Sequence, residues 1–202
     1  LELWPEVAPK QLNSAFHTTL YRLRKAIHPQ VVIQSGGGYQ VNPEFDVWYD
    51  AAEFEEVRKQ AEAAEPGSDD WSEGLSRVVG LYRGPFASSF DSEWAEEVRR
   101  RYEEMYLSSM LALSVAALNR GDAPEAIRMA ESVISIDPLN EDATYRLMEA
   151  HARRSNLDLA TRAYRRLHDA MRSELGAEPG ARTKALYRRV LSGDALDDSV
   201  AL

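Results

Sequence analysis

Ser14, Thr18, Tyr21, Arg22 and Lys25 recur at steps of three and four residues, which places them on one face of a helix. Hydroxyl, guanidinium and ammonium groups are the donors that reach base edges and phosphate oxygens. Gln11 shares that face. At about 100° per residue, Phe16, Leu20, Leu23 and Ile27 form the opposite, apolar face. After His28-Pro29 the run VVIQSGGGYQV alternates over Val31–Gln34 and Tyr39–Val41. Gly36, Gly37 and Gly38 permit positive φ at its turn. A polar-faced helix followed by a β-hairpin is how a winged helix-turn-helix ends. The helix is then expected in a major groove, with the wing tip at Gly37 and Gly38 against backbone or minor groove. A plainer reading of Arg22, Arg24 and Lys25 is an exposed face making ion pairs.

Catalysis is not expected. His17, His28, His151 and His168 are scattered, with no HExxH spacing. Cysteine is absent, which excludes disulfides and thiolate zinc sites. The chain has no GxSxG elbow and no GxxxxGK[ST] phosphate loop. The glycine run leads into a tyrosine and a strand, so it reads as a hairpin turn; a phosphate cradle needs a helix start there. Asp69-Asp70 and Glu96-Glu97 read as helix-start or solvated charges. The expectation is a protein with no enzyme activity, no cofactor and no metal.

Charge is unevenly spread. The 202 residues carry a net −9. Residues 1–43 hold four basic and two acidic side chains, whereas 44–202 hold 20 basic and 31 acidic. The basic surplus therefore sits on the polar-faced helix, and the remainder is expected to repel phosphate. The longest uncharged run, Met105–Asn119, is short of the roughly 20 apolar residues that span a bilayer. No membrane contact is expected, and absence of cysteine fits a reducing, cytoplasmic setting. Leu1 is not an initiator residue, so a fragment or processed chain is expected, one starting too late for the first half of a winged helix.

The elements that must position these residues follow from periodicity. Residues 1–8 read as the end of an incoming helix and its turn, and Pro9 suits the first turn of the next helix. From Phe45 onward the pattern is all helix. Asp46 is expected to cap a helix reaching about Glu65, with Val47, Ala51, Phe54, Val57 and Ala61 inward. Glu65-Pro66-Gly67-Ser68 breaks it. A shorter helix follows over Asp70–Tyr82. Asp91 is expected to cap a long helix, Glu93–Asn119, central to the bundle. Trp48, Trp71, Trp94, Tyr82, Tyr102 and Tyr106 read as core.

Residues 107–138 shifted by 34 fall on 141–172: Leu113 meets Leu147, Ala116 meets Ala150, Arg120 meets Arg154, Ala126 meets Ala160 and Arg128 meets Arg162. Gly121 meets Ser155 at the turn between paired helices. A period of 34 with small residues at the crossing predicts a tetratricopeptide-like repeat. Pro138 ends the first unit, Pro179–Leu191 forms a closing helix, and residues 192–202 are expected to be a disordered tail. Phe16, Leu20, Leu23 and Ile27, each worth roughly 1.5–3 kcal/mol when buried, must pack on the repeat, on a second copy, or on nothing.

The chain resembles the bacterial transcriptional activator domain of SARP-type regulators, preceded by the C-terminal part of an OmpR-like winged-helix domain. Leu3-Trp4-Pro5, Leu20–Arg24 and Gly38-Tyr39 resemble the end of that DNA-binding domain. Leu81–Phe86 with Glu93-Trp94-Ala95, Asp137–Glu141, and Glu174–Pro179 with Thr183, Leu186 and Tyr187 resemble the helical domain's signatures. The resemblance implies an all-α tetratricopeptide-like domain at 44–191 after a truncated winged helix at 1–43. It implies a sequence-specific activator that binds promoter DNA, helps recruit RNA polymerase, and self-associates or is regulated through the repeats. The DNA-facing positions carried over are Ser14, Thr18, Tyr21 and Arg22, with Lys25 on phosphate and the wing over Gln34–Tyr39. The alternative is a tetratricopeptide adaptor with no DNA role.

Overall fold

The structure is a computed structural model and describes residues 7–193. Of the incoming helix end and turn expected over residues 1–8, residues 1–6 lie outside the described residues; of the tail expected over 192–202, Ser192 ends the last helix and the residues beyond Gly193 lie outside the described ones. Helix α1 (Pro9–Ala26) leads into an antiparallel hairpin, β1 (Val32–Ser35) and β2 (Gly38–Val41). Seven helices follow: α2 (Asp50–Ala63), α3 (Asp69–Leu81), α4 (Glu93–Asn119), α5 (Ala123–Ile136), α6 (Glu141–Arg153), α7 (Leu157–Leu175) and α8 (Ala181–Ser192).

Each helix from α2 to α8 packs on its neighbours in sequence, and α6 also touches α4 and α8. This is a stack of antiparallel pairs. No helix of the stack forms an extended contact with α1, β1 or β2 among the described residues. Local signals start the helices where they should. The Ser68 hydroxyl accepts from the Trp71 amide, Asp122 from Glu125 and Asn140 from Ala143, each answering an orphan N–H of a first turn. Gly176, at φ 62°, ends α7 in the left-handed region.

The core is built where small residues allow close crossing. Ala126 and Ala160, one repeat apart, are fully buried, and so are Ala117 and Ala150 beside Ala126. The Ser114 hydroxyl, also buried, donates to the Ala126 carbonyl at 3.0 Å and so satisfies itself across the α4–α5 crossing. Tyr164 and Tyr187 stack at 3.9 Å, fastening α8 to α7. Glu141 reaches from α6 to accept from the Gly180 amide and the Thr183 hydroxyl at the start of α8.

Several boundaries differ from expectation. Helix α2 begins at Asp50, not Asp46. Tyr49 is its extended N-cap, and the Asp50 carboxylate accepts from the Ala51 amide. Residues 46–49 are exposed, Val47 and Trp48 by 55% and 66%. An unsupported helical turn does not hold in water. Trp48 is thus not core; its indole donates to Glu53 instead. The long helix starts as expected, but Ser92 and not Asp91 is its N-cap residue. Beyond Tyr102 the helix is buried on several sides, at Leu107, Ser109, Leu113 and Ala117 among others, which places it at the centre of the stack.

Candidate nucleic-acid interface

Helix α1 carries two rows of opposite purpose. Phe16, Leu20 and Arg24 lie at steps of four, so they form one row. Phe16 packs on Tyr39 of β2, with ring centroids 4.8 Å apart. Leu20 is buried. Arg24 donates from Nε and Nη2 to the Val32 carbonyl of β1, at 3.2 and 2.6 Å. This row locks helix to hairpin. Leu23 and Ile27, expected on the same buried face, are 39% and 63% exposed, because the hairpin covers only the 16–20–24 row. Arg24 is therefore a clamp and not part of the exposed basic face.

Ser14, Thr18, Tyr21, Arg22 and Lys25 are all exposed. Among the described residues Arg22 and Lys25 have no ion-pair or hydrogen-bond partner. The hairpin is held in register by pairing of Val32 with Val41 through Ser35 with Gly38. Gly36 and Gly37, at φ 59° and 82°, make the two-residue turn that positive φ at both positions requires. Gly38 departs from expectation: it is paired with Ser35 and extended. Gly37 and Gly38 are exposed at the tip. At the hairpin base the buried Asn42 donates its amide to the Val31 carbonyl at 2.9 Å and accepts from the Glu44 amide with its side chain.

The charge map is sharper than the split at residue 43. Residues 44–150 hold ten basic and 24 acidic side chains, whereas 151–193 hold ten basic and four acidic. The acidity belongs to α2 through α6, and the last two helices are basic. A single total for everything after residue 43 conceals this. Among the described residues, no group of three His, Asp or Glu side chains could hold a metal ion, and no helix is long and apolar enough to cross a membrane.

Residues 49–191 match the family described as the bacterial transcriptional activator domain. Regulatory protein AfsR of Streptomyces coelicolor is 27% identical over 194 residues, covering 95% of this chain and 20% of AfsR. The transcriptional regulatory protein EmbR of Mycobacterium tuberculosis is 26% identical over 204 residues, covering 96% of this chain and 52% of EmbR. The solved structure of that EmbR in complex with a low affinity phosphopeptide superposes on 97% of this chain and 54% of its own, with TM-score 0.75 and 25% identity. The C-terminal TPR-containing domain of a Plasmodium falciparum FK506-binding protein matches at TM-score 0.51 and 16% identity over 72% of this chain and 92% of its own, a likeness of fold alone. The chain spans about a fifth of AfsR and about half of EmbR.

Proposed function

This chain belongs to the bacterial transcriptional activator domain family, and from that premise we propose that it serves a cytoplasmic, sequence-specific transcriptional activator. Residues 1–43 are the DNA-reading part and 44–191 the repeat domain. In this reading α1 enters a major groove. Ser14, Thr18, Tyr21 and Arg22 face base edges, Lys25 meets phosphate, and Gly37 and Gly38 bring the wing backbone close to the duplex. The repeat domain contacts RNA polymerase or a second copy of the protein. No step of this function requires catalysis.

One observation carries the reading. Among the described residues Arg22 and Lys25 stand unpaired, on the side of α1 turned away from the row that Phe16, Leu20 and Arg24 fasten to the hairpin. Two neighbouring cations left without a counter-ion, on a helix whose other face is occupied, suit a polyanion.

Selection from a randomised duplex library with the full-length protein tests it, followed by anisotropy on the selected sequence. Arg22→Ala is expected to weaken binding by about 1–3 kcal/mol and relax preference at one position. Lys25→Ala is expected to weaken all sequences alike and lower the salt slope by about 1. Recovery of no sequence, or wild-type affinity in Arg22→Ala, would favour the adaptor with no DNA role.

A further inference from the structure

Helices α5 and α7 both pack on α6 and form no extended contact with each other. They leave a cleft of about 220 Å³ over α6. Its floor carries Leu147 and His151 of α6. One wall carries Glu131 and Ile134 of α5, and the other Arg162 and Arg166 of α7.

The 34-residue repeat explains why this cleft is positively charged. Arg128 of α5 is the repeat equivalent of Arg162, and it is neutralised by an ion pair with Glu125. The equivalent of Glu125 in α7 is Leu159, so Arg162 has lost its counter-ion. Neither Arg162 nor Arg166 has an ion pair or hydrogen bond among the described residues. Glu131 lines the same cleft without reaching either of them. His151 is 7% exposed, and its Nδ1 is buried with no hydrogen-bond partner. A second repeat that merely copied the first would retain the acid. Leucine in its place leaves two guanidiniums on the α7 wall with no counter-ion among the described residues.

We infer that the α5–α6–α7 cleft binds a peptide segment that alternates apolar and acidic residues, its apolar side chains on Leu147 and Ile134 and its carboxylates on Arg162 and Arg166. Guanidinium forks match carboxylates in two-bond geometry. A nucleic-acid backbone fits less well. The duplex is convex, and a sugar–phosphate backbone has no apolar side chains to set on Leu147 and Ile134. The assignment is independent of α1 and the hairpin, which lie in the other half of the chain.

The probe is a fluorescein-labelled peptide of alternating leucine and glutamate, with a leucine–lysine peptide as control, measured by anisotropy against the whole chain. The wild type is expected to bind the acidic peptide and not the basic one. Arg162→Gln with Arg166→Gln should weaken binding by about three- to tenfold, the scale of two exposed charge contacts. Arg165→Gln, which lies outside the cleft on the same helix, should leave it unchanged. The His151 ring resonances should shift on binding, and circular dichroism of each variant should match the wild type. Failure of the wild type to bind, equal loss in Arg165→Gln, no loss in the double variant, equal binding of the lysine peptide, or displacement of the peptide by duplex DNA would each overturn the proposal.

Discussion

Gly121 and Ser155 occupy the same left-handed backbone position one repeat apart, at φ 79° and 58°. The bonds around them repeat as well. The Asp122 amide donates to the Ala117 carbonyl at 2.8 Å, and the Asn156 amide donates to the His151 carbonyl at 2.9 Å. Each turn closes the helix before it with the same backbone grip. The second does so with a residue that pays for a Cβ in the left-handed region.

Ser155→Gly is therefore expected to raise stability by about 0.5–1 kcal/mol, the relief of a left-handed non-glycine less the added chain entropy of glycine. Gly121→Ala should lower it by about 1 kcal/mol. Urea denaturation followed by circular dichroism measures both. Equal and opposite signs would show that the two turns are conformationally the same site.

Gly74 lets α3 approach α2. A Cβ there would stand 2.8 Å from the Cβ of Ala61, which is 2% exposed. Gly74→Ala should cost about 1–3 kcal/mol despite the better helix propensity of alanine. Ala61→Gly should recover part of that loss in the double variant, and a double-mutant cycle reads the coupling.

Arg24 and Arg22 should separate cleanly. Arg24→Ala removes both donors to the Val32 carbonyl and is expected to destabilise the α1–hairpin unit by about 1–2 kcal/mol. Since that unit makes no extended contact with the stack, the loss should appear as faster amide exchange in residues 32–41 with the stack unaffected. Arg22→Ala should change stability by no more than about 0.5 kcal/mol. Its effect belongs to DNA binding.

His151 should make the stack weaker in acid. Burial lowers its pKa from the usual 6.5, as do Arg154 and Arg162, while Glu131 opposes them. The folded ring stays neutral where the unfolded one is already protonated, so the unfolded state binds more protons. Stability is thus expected to fall as pH drops below about 6.5 and to level off below the folded value. Urea midpoints across that range, with His151→Gln as reference, measure the difference. A reference with the same pH dependence would remove His151 as its source.

Much of this was readable along the chain, because it is carried by neighbours in sequence. The stripe Ala51, Phe54, Val57 and Ala61 marked α2, and all four are buried. The period of 34 set Ala126 against Ala160 and Gly121 against Ser155. The glycines of the hairpin marked its turn, though only Gly36 and Gly37 take the positive φ expected of all three. The polar row Ser14, Thr18, Tyr21, Arg22 and Lys25 was legible from spacing and is exposed as expected.

What spacing could not decide was which side of each row would meet another element. Arg24 reads as one more cation on a basic helix until the Val32 carbonyl, eight residues on, takes both its donors. Trp48 has the composition of a core residue, yet it is exposed and its indole bonds only to Glu53 among the described residues. Periodicity is a property of a single helix and is written in its side chains. Hydrogen-bond closure, loss of a counter-ion and burial of a ring depend on two or three segments meeting, and their free energies arise only on contact. So the sequence by itself determined the helices, the repeat and the polar face of α1. Only the tertiary structure decided that Arg24 closes the hairpin, that Leu23 and Ile27 remain exposed, and that Arg162 and Arg166 stand unpaired over the floor laid by α6.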